Sequence, residues 1–253
     1  MQKRIFLILA PLLAWTCIAH AQQEEALVRV KFRTLPILSA DWEGIFYQPA
    51  PEEEMVEIHF RSLSRSFLTY DYYGPKTLRF YREDGLDEEG EMRYRTIGQV
   101  NAIYKEMLIF FKPYPKQAET DSEFKLLPID DSPNGLPINH ISFINLTRAS
   151  FACRFVEDKM VLPPGLTGPI SVQDALGEDL FIGLAVSNAQ TQRVVLKNRW
   201  EFQPGNRHII LLLPPKKAGS FRIRAYRITE FVGENQRFNP NWAPPEIIEE
   251  TGL

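Results

Sequence analysis

Past position 21, few residues could do chemistry: His59, His140 and His208, one thiol at Cys153, and many scattered carboxylates. Each histidine flanks a strand pattern. None comes with a set of further ligands at metal-binding spacing, which on one strand face means every second residue. They read as strand-edge or packed histidines, and neither a metal nor any other cofactor is expected. Cys153 sits between Phe151 and Phe155 in an alternating run, the setting of a buried, inert thiol and not of an activated nucleophile. No Gly-x-Ser-x-Gly elbow and no glycine-rich phosphate loop occurs. With 32 acidic residues in the chain, any two could be nominated as a glycosidase pair, so none is. Asp130-Asp131 is the most prominent pair, and an Asx turn explains it. The acidic stretch from Arg82 to Glu91 lacks the Asp-x-Asp-x-Asp-Gly spacing of a calcium loop and reads as a surface loop. The expectation is a protein that is not an enzyme.

Binding has a better address. Phe67, Tyr70, Tyr72, Tyr73, Phe80 and Tyr81 crowd one stretch, and on a strand Tyr70 and Tyr72 share a face while Tyr73 takes the other. Exposed, they could stack on sugar rings or anchor a protein; buried, they would be core and cross-strand pairs. Trp242, in Trp-Ala-Pro-Pro, could dock on a groove. Tyr70, Tyr72, Tyr73 and Trp242 are therefore the candidate ligand or partner surface. Asn145-Leu146-Thr147 matches the N-glycosylation pattern, which bears only on a eukaryotic export route.

The elements that must position these residues begin after an export address. A basic start (Met1 to Arg4), an apolar run from Ile5 to Ile18 and Ala19-His20-Ala21 form a secretory signal over residues 1–21. The run is shorter than the roughly 20 residues of a spanning helix, and no second such run follows, so no integral span is expected. Removing Lys3 and Arg4 takes the net charge from −3 to −5. An acidic chain is a poor general binder of nucleic acid or anionic membranes. One cysteine past the signal means that an apolar core and not disulfides must hold the fold.

Downstream, apolar–polar alternation recurs about every ten residues between turn signals: Leu27 to Arg33, Met55 to Leu63, Arg65 to Tyr73, Lys76 to Tyr81. Met107 to Phe111 and His208 to Leu213 are continuous apolar runs, the mark of central strands. The chain reads as all-β, with a 22–131 domain, a 132–137 linker acting as hinge, a 138–231 domain and a Pro- and acid-rich tail over 232–253. Two internal echoes suggest tandem immunoglobulin-like β-sandwiches: Ile58–Leu68 with Ile141–Phe151, and Leu108–Ile129 with His208–Ile228. The plan of signal peptide, two β-sandwiches and no disulfides is similar to that of the periplasmic pilus chaperones. No residue motif accompanies the similarity, so no residue roles carry over. The expected role is an exported, non-enzymatic binding or assembly module in a bacterial periplasm or on the cell surface, with an envelope or extracellular protein as partner. A carbohydrate-binding sandwich using the tyrosines is the alternative, and a hydrolase with a site in the interdomain cleft is the third reading.

Overall fold

The computed structural model describes residues 26–231 apart from 63, 116–119, 156–157, 188–191 and 218. The signal segment 1–21 and the whole 232–253 tail, Trp242 included, lie outside the described residues. The first half holds β1 (Leu27–Pro36), β2 (Phe46–Tyr47), β3 (Val56–Glu57), β4 (Tyr70–Pro75), β5 (Thr77–Leu86), β6 (Met92–Asn101), β7 (Glu106–Pro113) and β8 (Phe124–Asp130). The second holds β9 (His140–Asn145), β10 (Phe151–Phe155), β11 (Asp158–Leu162), β12 (Gly165–Ser171), β13 (Asp179–Ser187), β14 (Gln192–Glu201), β15 (Asn206–Leu213) and β16 (Arg224–Phe231). A single 3₁₀ turn at Gln173–Ala175 is the one helical piece among the described residues. The protein is all-β.

The strands make four sheets of four. In the first half they run β4-β1-β7-β8 and β3-β2-β5-β6; in the second, β12-β9-β15-β16 and β11-β10-β13-β14. Numbered from the start of each half, both orders are 4-1-7-8 and 3-2-5-6. The pairing senses agree too. β1 runs parallel to β7 and β9 parallel to β15, while each closing hairpin, β7–β8 and β15–β16, is antiparallel. The backbone bonds just past the first strand of each half also correspond: Ile37 N–H donates to Phe111 O, and Leu146 N–H to Leu212 O, both at 2.8 Å.

Alternation along the inner strands explains the stacking. Phe32, Met107, Ile109 and Phe111 point toward the β3-β2-β5-β6 sheet and fill the first core with Tyr47, Tyr70, Phe80 and Phe124. The residues between them, Leu35, Leu108, Phe110 and Ile129, face the other way. There they meet Ile144, Ile209, Leu211, Leu213 and Ile228 of the β12-β9-β15-β16 sheet. That sheet's opposite face, with Ile141, Phe143, Ile210 and Leu212, covers the third core together with Cys153, Phe155 and Phe202. The molecule is thus four layers with two sheets back to back in the middle. A strand buried on both faces must be apolar at consecutive positions, which is why Met107–Phe111 and Ile209–Leu213 lose alternation.

The expected hinge is not loose. Asp130 Oδ1 accepts from Ser132 N–H at 3.0 Å, Ser132 O from Leu136 N–H at 2.9 Å, and Ser132 Oγ from Gly135 N–H at 3.2 Å. Any side chain at Gly135 would meet the Asp130 carbonyl at 2.4 Å. Leu136 then drops into the central core. The closing-hairpin echo, Leu108–Ile129 with His208–Ile228, falls on topologically matching strands. The other echo does not: Ile141–Asn145 is β9, whose counterpart by pairing is β1, whereas Ile58–Leu68 is mostly irregular chain.

Because the central core belongs to both halves, Leu211→Ala should lower global stability by about 2–5 kcal/mol. Native-state hydrogen exchange should show the slowest amides of β7 and β15 opening at one common free energy. Two well-separated free energies would contradict a shared core.

Candidate binding edge and the buried ion network

The tyrosines divide as the alternation predicts, with the pair facing inward. Tyr70 and Tyr72 are 4% and 6% exposed, packed against Phe32 and Tyr47. Tyr70 Oη accepts from His59 N–H at 2.9 Å, and Tyr72 O–H donates to Pro75 O at 2.7 Å. A flat sugar platform built on these two rings is therefore ruled out; they are core. Tyr73 is exposed, with the Arg29 guanidinium 5.3 Å from its ring centre. It lines a cleft of about 200 Å³ with Gln48, Pro51, Arg79 and Tyr81. That volume falls below the roughly 300–1,000 Å³ of small-molecule pockets.

The remaining candidates are structural. Cys153 is buried on the face of Phe151 and Phe155, and burial pushes its thiol up to about 12, so it stays protonated. His59 is exposed; Glu57, two residues before it, accepts from Gly44 N–H at 3.0 Å. Asp87 Oδ1 caps the acidic loop by accepting from Glu89 and Glu91 N–H at 3.0 and 2.8 Å. Asn145 is buried, its amide donating to Ala149 O and Leu162 O, which leaves the glycosylation pattern inaccessible. His208 is buried against Phe202, with Nδ1 3.1 Å from Thr229 Oγ1. Burial, and then the Arg227 charge, hold its imidazole down to about 4.

Where the third reading would put a hydrolase cleft, between the halves, the structure has the central apolar core, bordered by four charged side chains. Arg65, in the chain between β3 and β4, grips Glu230 of β16 through Nε–Oε1 and Nη2–Oε2, both 2.7 Å. Its Nη1 donates to Asp131, just past β8. Arg207 of β15 closes the ring, with Nε 2.7 Å from Glu230 Oε2 and Nη2 3.4 Å from Asp131 Oδ1. Its Nη1 also donates to Leu136 O at 3.2 Å. Burial opposes the charge on Glu230, but the two guanidiniums outweigh it and hold that carboxyl below its usual range. Both acids are engaged by cations. No single stretch of sequence signals this ring, because its members span positions 65 to 230.

The feature that does resemble a binding site is an edge. The second strands of the hairpins β5–β6 and β13–β14 each carry an extra residue at a bulge, Ile97 and Val195; β5–β6 has a further register shift between Glu83 and Leu86. Counted from the bulge, Gly98 corresponds to Leu196. In the first half the seam between sheets is closed there: Glu123 N–H donates to Ile97 O at 2.8 Å. A Cβ on Gly98 would lie 3.2 Å from Leu126 Cδ1 and 3.3 Å from Phe124 O, so β8 comes close only because position 98 is glycine. In the second half the sizes are exchanged. Leu196 fills the β14 side, and Ala225 stands where the hairpin register places Leu126. The Arg222 N–H, counterpart of Glu123 N–H, goes instead to Ser220 Oγ at 3.2 Å. Among the described residues no backbone hydrogen bond joins β14 to β16; side chains cross instead, Arg227 donating to Glu201 O at 2.9 Å and the Arg193 guanidinium lying 4.2 Å from the ring centre of Phe221, in the chain before β16. The ten-residue β14 is left as a sheet edge paired on the β13 side alone.

Two outcomes follow. His208 has a folded-state pKa below its unfolded value near 6.5, so its contribution to stability is complete above pH 6.5 and is lost as pH falls toward 4. His208→Asn should flatten that decline by up to about 1.4 kcal/mol per pH unit, read from denaturant midpoints between pH 7.5 and 4. At the seam, Gly98→Leu should cost about 1–3 kcal/mol by overpacking. Adding Leu126→Ala, the second half's combination, should recover much of it; simple additivity in the double-mutant cycle would argue against the volume exchange.

A comparison with protein-family models found no match for this chain, and neither did one with curated proteins.

Proposed function

We propose that the chain is an exported, non-enzymatic binding or assembly module of a bacterial cell envelope, and that it works by accepting an extended partner segment on the β14 edge. The observation that carries this reading is the contrast between the two seams. The same topological position is sealed by a backbone bond in one half and left open in the other, by residue choices (Gly98 with Leu126, Leu196 with Ala225) that each fill their own seam. A long edge exposes a row of backbone donors and acceptors, a ready template for another strand. Strand addition uses them: backbone bonds supply affinity and alternate side chains supply selectivity.

The same reading takes the halves as tandem copies of one β-sandwich. Matching strand order, matching pairing sense, the two bulges and the closing-hairpin echo support it. Immunoglobulin-like describes the two-layer plan only, since an immunoglobulin constant domain pairs strands 1, 2, 5 and 4 in one sheet and 3, 6 and 7 in the other. The export address rests on the signal pattern of residues 1–21.

Strand acceptance is tested by titrating the protein with an alternating Thr-Val decapeptide while following hydrogen exchange. The expected result is slower exchange of amides within Gln192–Glu201 and unchanged exchange in β6, whose seam is closed. Protection absent from β14, or equal at β6, would remove the proposal.

A further inference from the structure

We infer that the segment accepted at the β14 edge is acidic, with carboxylates facing Lys197 and Arg199. This inference rests on the strand-accepting reading of that edge and adds the chemistry of the partner.

The pairing register places Lys159 opposite Arg154, Arg154 opposite Gly183, and Gly183 opposite Lys197. These four positions make one row across the solvent face of the outer sheet, with adjacent strands about 4.8 Å apart. The next row toward the end of β14 places Arg199 opposite Phe181. Arg154, Lys159, Lys197 and Arg199 are all exposed. Among the described residues, three of them make no ion pair; Arg199 has one, 3.7 Å from Asp179, with both side chains mostly in solvent. Like charges directly opposite one another destabilise a sheet, so the fold carries this row at a cost. Gly183 leaves a gap in its middle, lined by the Phe181 ring over which Lys197 Nζ sits at 5.2 Å. The row beyond Arg199 pairs Asp179 with Glu201, both exposed, so the cations are confined to these two rows of the face.

An incoming strand would lie one spacing beyond β14, with its same-face side chains directly across from Lys197 and Arg199. Acids at two alternate positions would form cross-strand pairs with them. An apolar residue farther along would cover Val194, which is 64% exposed on the other side of the bulge. The same cations act against a second copy of this edge, because β14 laid on β14 brings lysine and arginine together. The edge is open to an acidic segment and closed to itself.

The test compares three decapeptides, alternating Glu-Val, Thr-Val and Lys-Val, by calorimetric titration of the full chain at 50 and 300 mM salt, with exchange protection of β14 as the structural readout. The expected order is Glu-Val at least tenfold tighter than Thr-Val and Lys-Val weakest, with the gap narrowing at high salt. Lys197→Glu with Arg199→Glu, both at exposed positions, should invert the order while far-UV circular dichroism stays unchanged. Equal binding of all three peptides would overturn acid selection and leave strand acceptance standing. No binding of any would overturn both. Glu-Val binding that survives the double substitution would place the acid preference elsewhere and overturn this inference. So would vesicles containing anionic phospholipid if they captured the protein through Lys197 and Arg199 while the Glu-Val peptide did not.

Discussion

Two of the four sheets have no solvent side, and that constraint shapes the rest of the molecule. Leu108 and Phe110 on one sheet press on Ile209 and Leu211 of the other, while their neighbours in sequence fill the separate cores of each half. A pair of independent sandwiches on a hinge would need one polar face on each inner sheet. Here that polarity is gone, so separating the halves would expose a continuous apolar surface, of the kind a stable monomer does not present. The connector follows from the same constraint. Leu136 is drawn into the shared core, and the turn before it is tight enough to exclude a side chain at Gly135.

The ion ring lies where this core meets polar chain. Asp131 and Glu230 occupy matching positions, five places past the corresponding residues Leu126 and Ala225 and each near the open end of a closing hairpin; packing the sheets back to back brings the two acids together. Alone they would repel in a poorly hydrated setting. Arg65 and Arg207 each touch both acids, which turns a repulsion into a closed four-membered network. Buried ion pairs add little net stability over an apolar replacement, while removing one partner is severe because a charge is left behind. The ring therefore acts more on geometry than on total stability: it favours the one docking of the halves in which all four groups are satisfied. Arg65 is held for this by Ser66, whose N–H donates to Thr34 O at 2.8 Å and whose hydroxyl accepts from Thr34 N–H at 3.1 Å.

Much of the fold was legible from period alone. Alternation marked the strands, and the continuous runs at Met107–Phe111 and His208–Leu213 marked those covered on both faces, because burial on two sides removes the need for polar residues. The closing-hairpin echo was legible for the same reason. What period cannot supply is direction. It put Tyr70 and Tyr72 on one face without saying that the face meets Phe32, and it made Ile58–Leu68 look like Ile141–Phe151 although the pairing partners differ. Polar groups that meet only in space were beyond it. Arg65 and Glu230 are 165 positions apart, and Asp131 read as part of an Asx turn, a role that Asp130 fills.

The open edge was hidden for another reason: its signal is a difference between halves, not a motif within one. Gly98 taken singly is a glycine in a strand, and Leu196 an ordinary apolar strand residue. Only when the two bulges set the correspondence does the exchange appear, Gly with Leu in one seam and Leu with Ala in the other. Both combinations fill space, but only glycine at 98 lets the two strands approach closely enough for a backbone bond; beside Leu196 the equivalent N–H goes to Ser220. A closed seam removes an edge from solvent, the usual solution for an isolated sheet. Leaving β14 open while lining its outer face with exposed cations keeps an edge available and opposes its self-pairing. Two halves of one topology thus end differently, one with its seam sealed and one with a free strand.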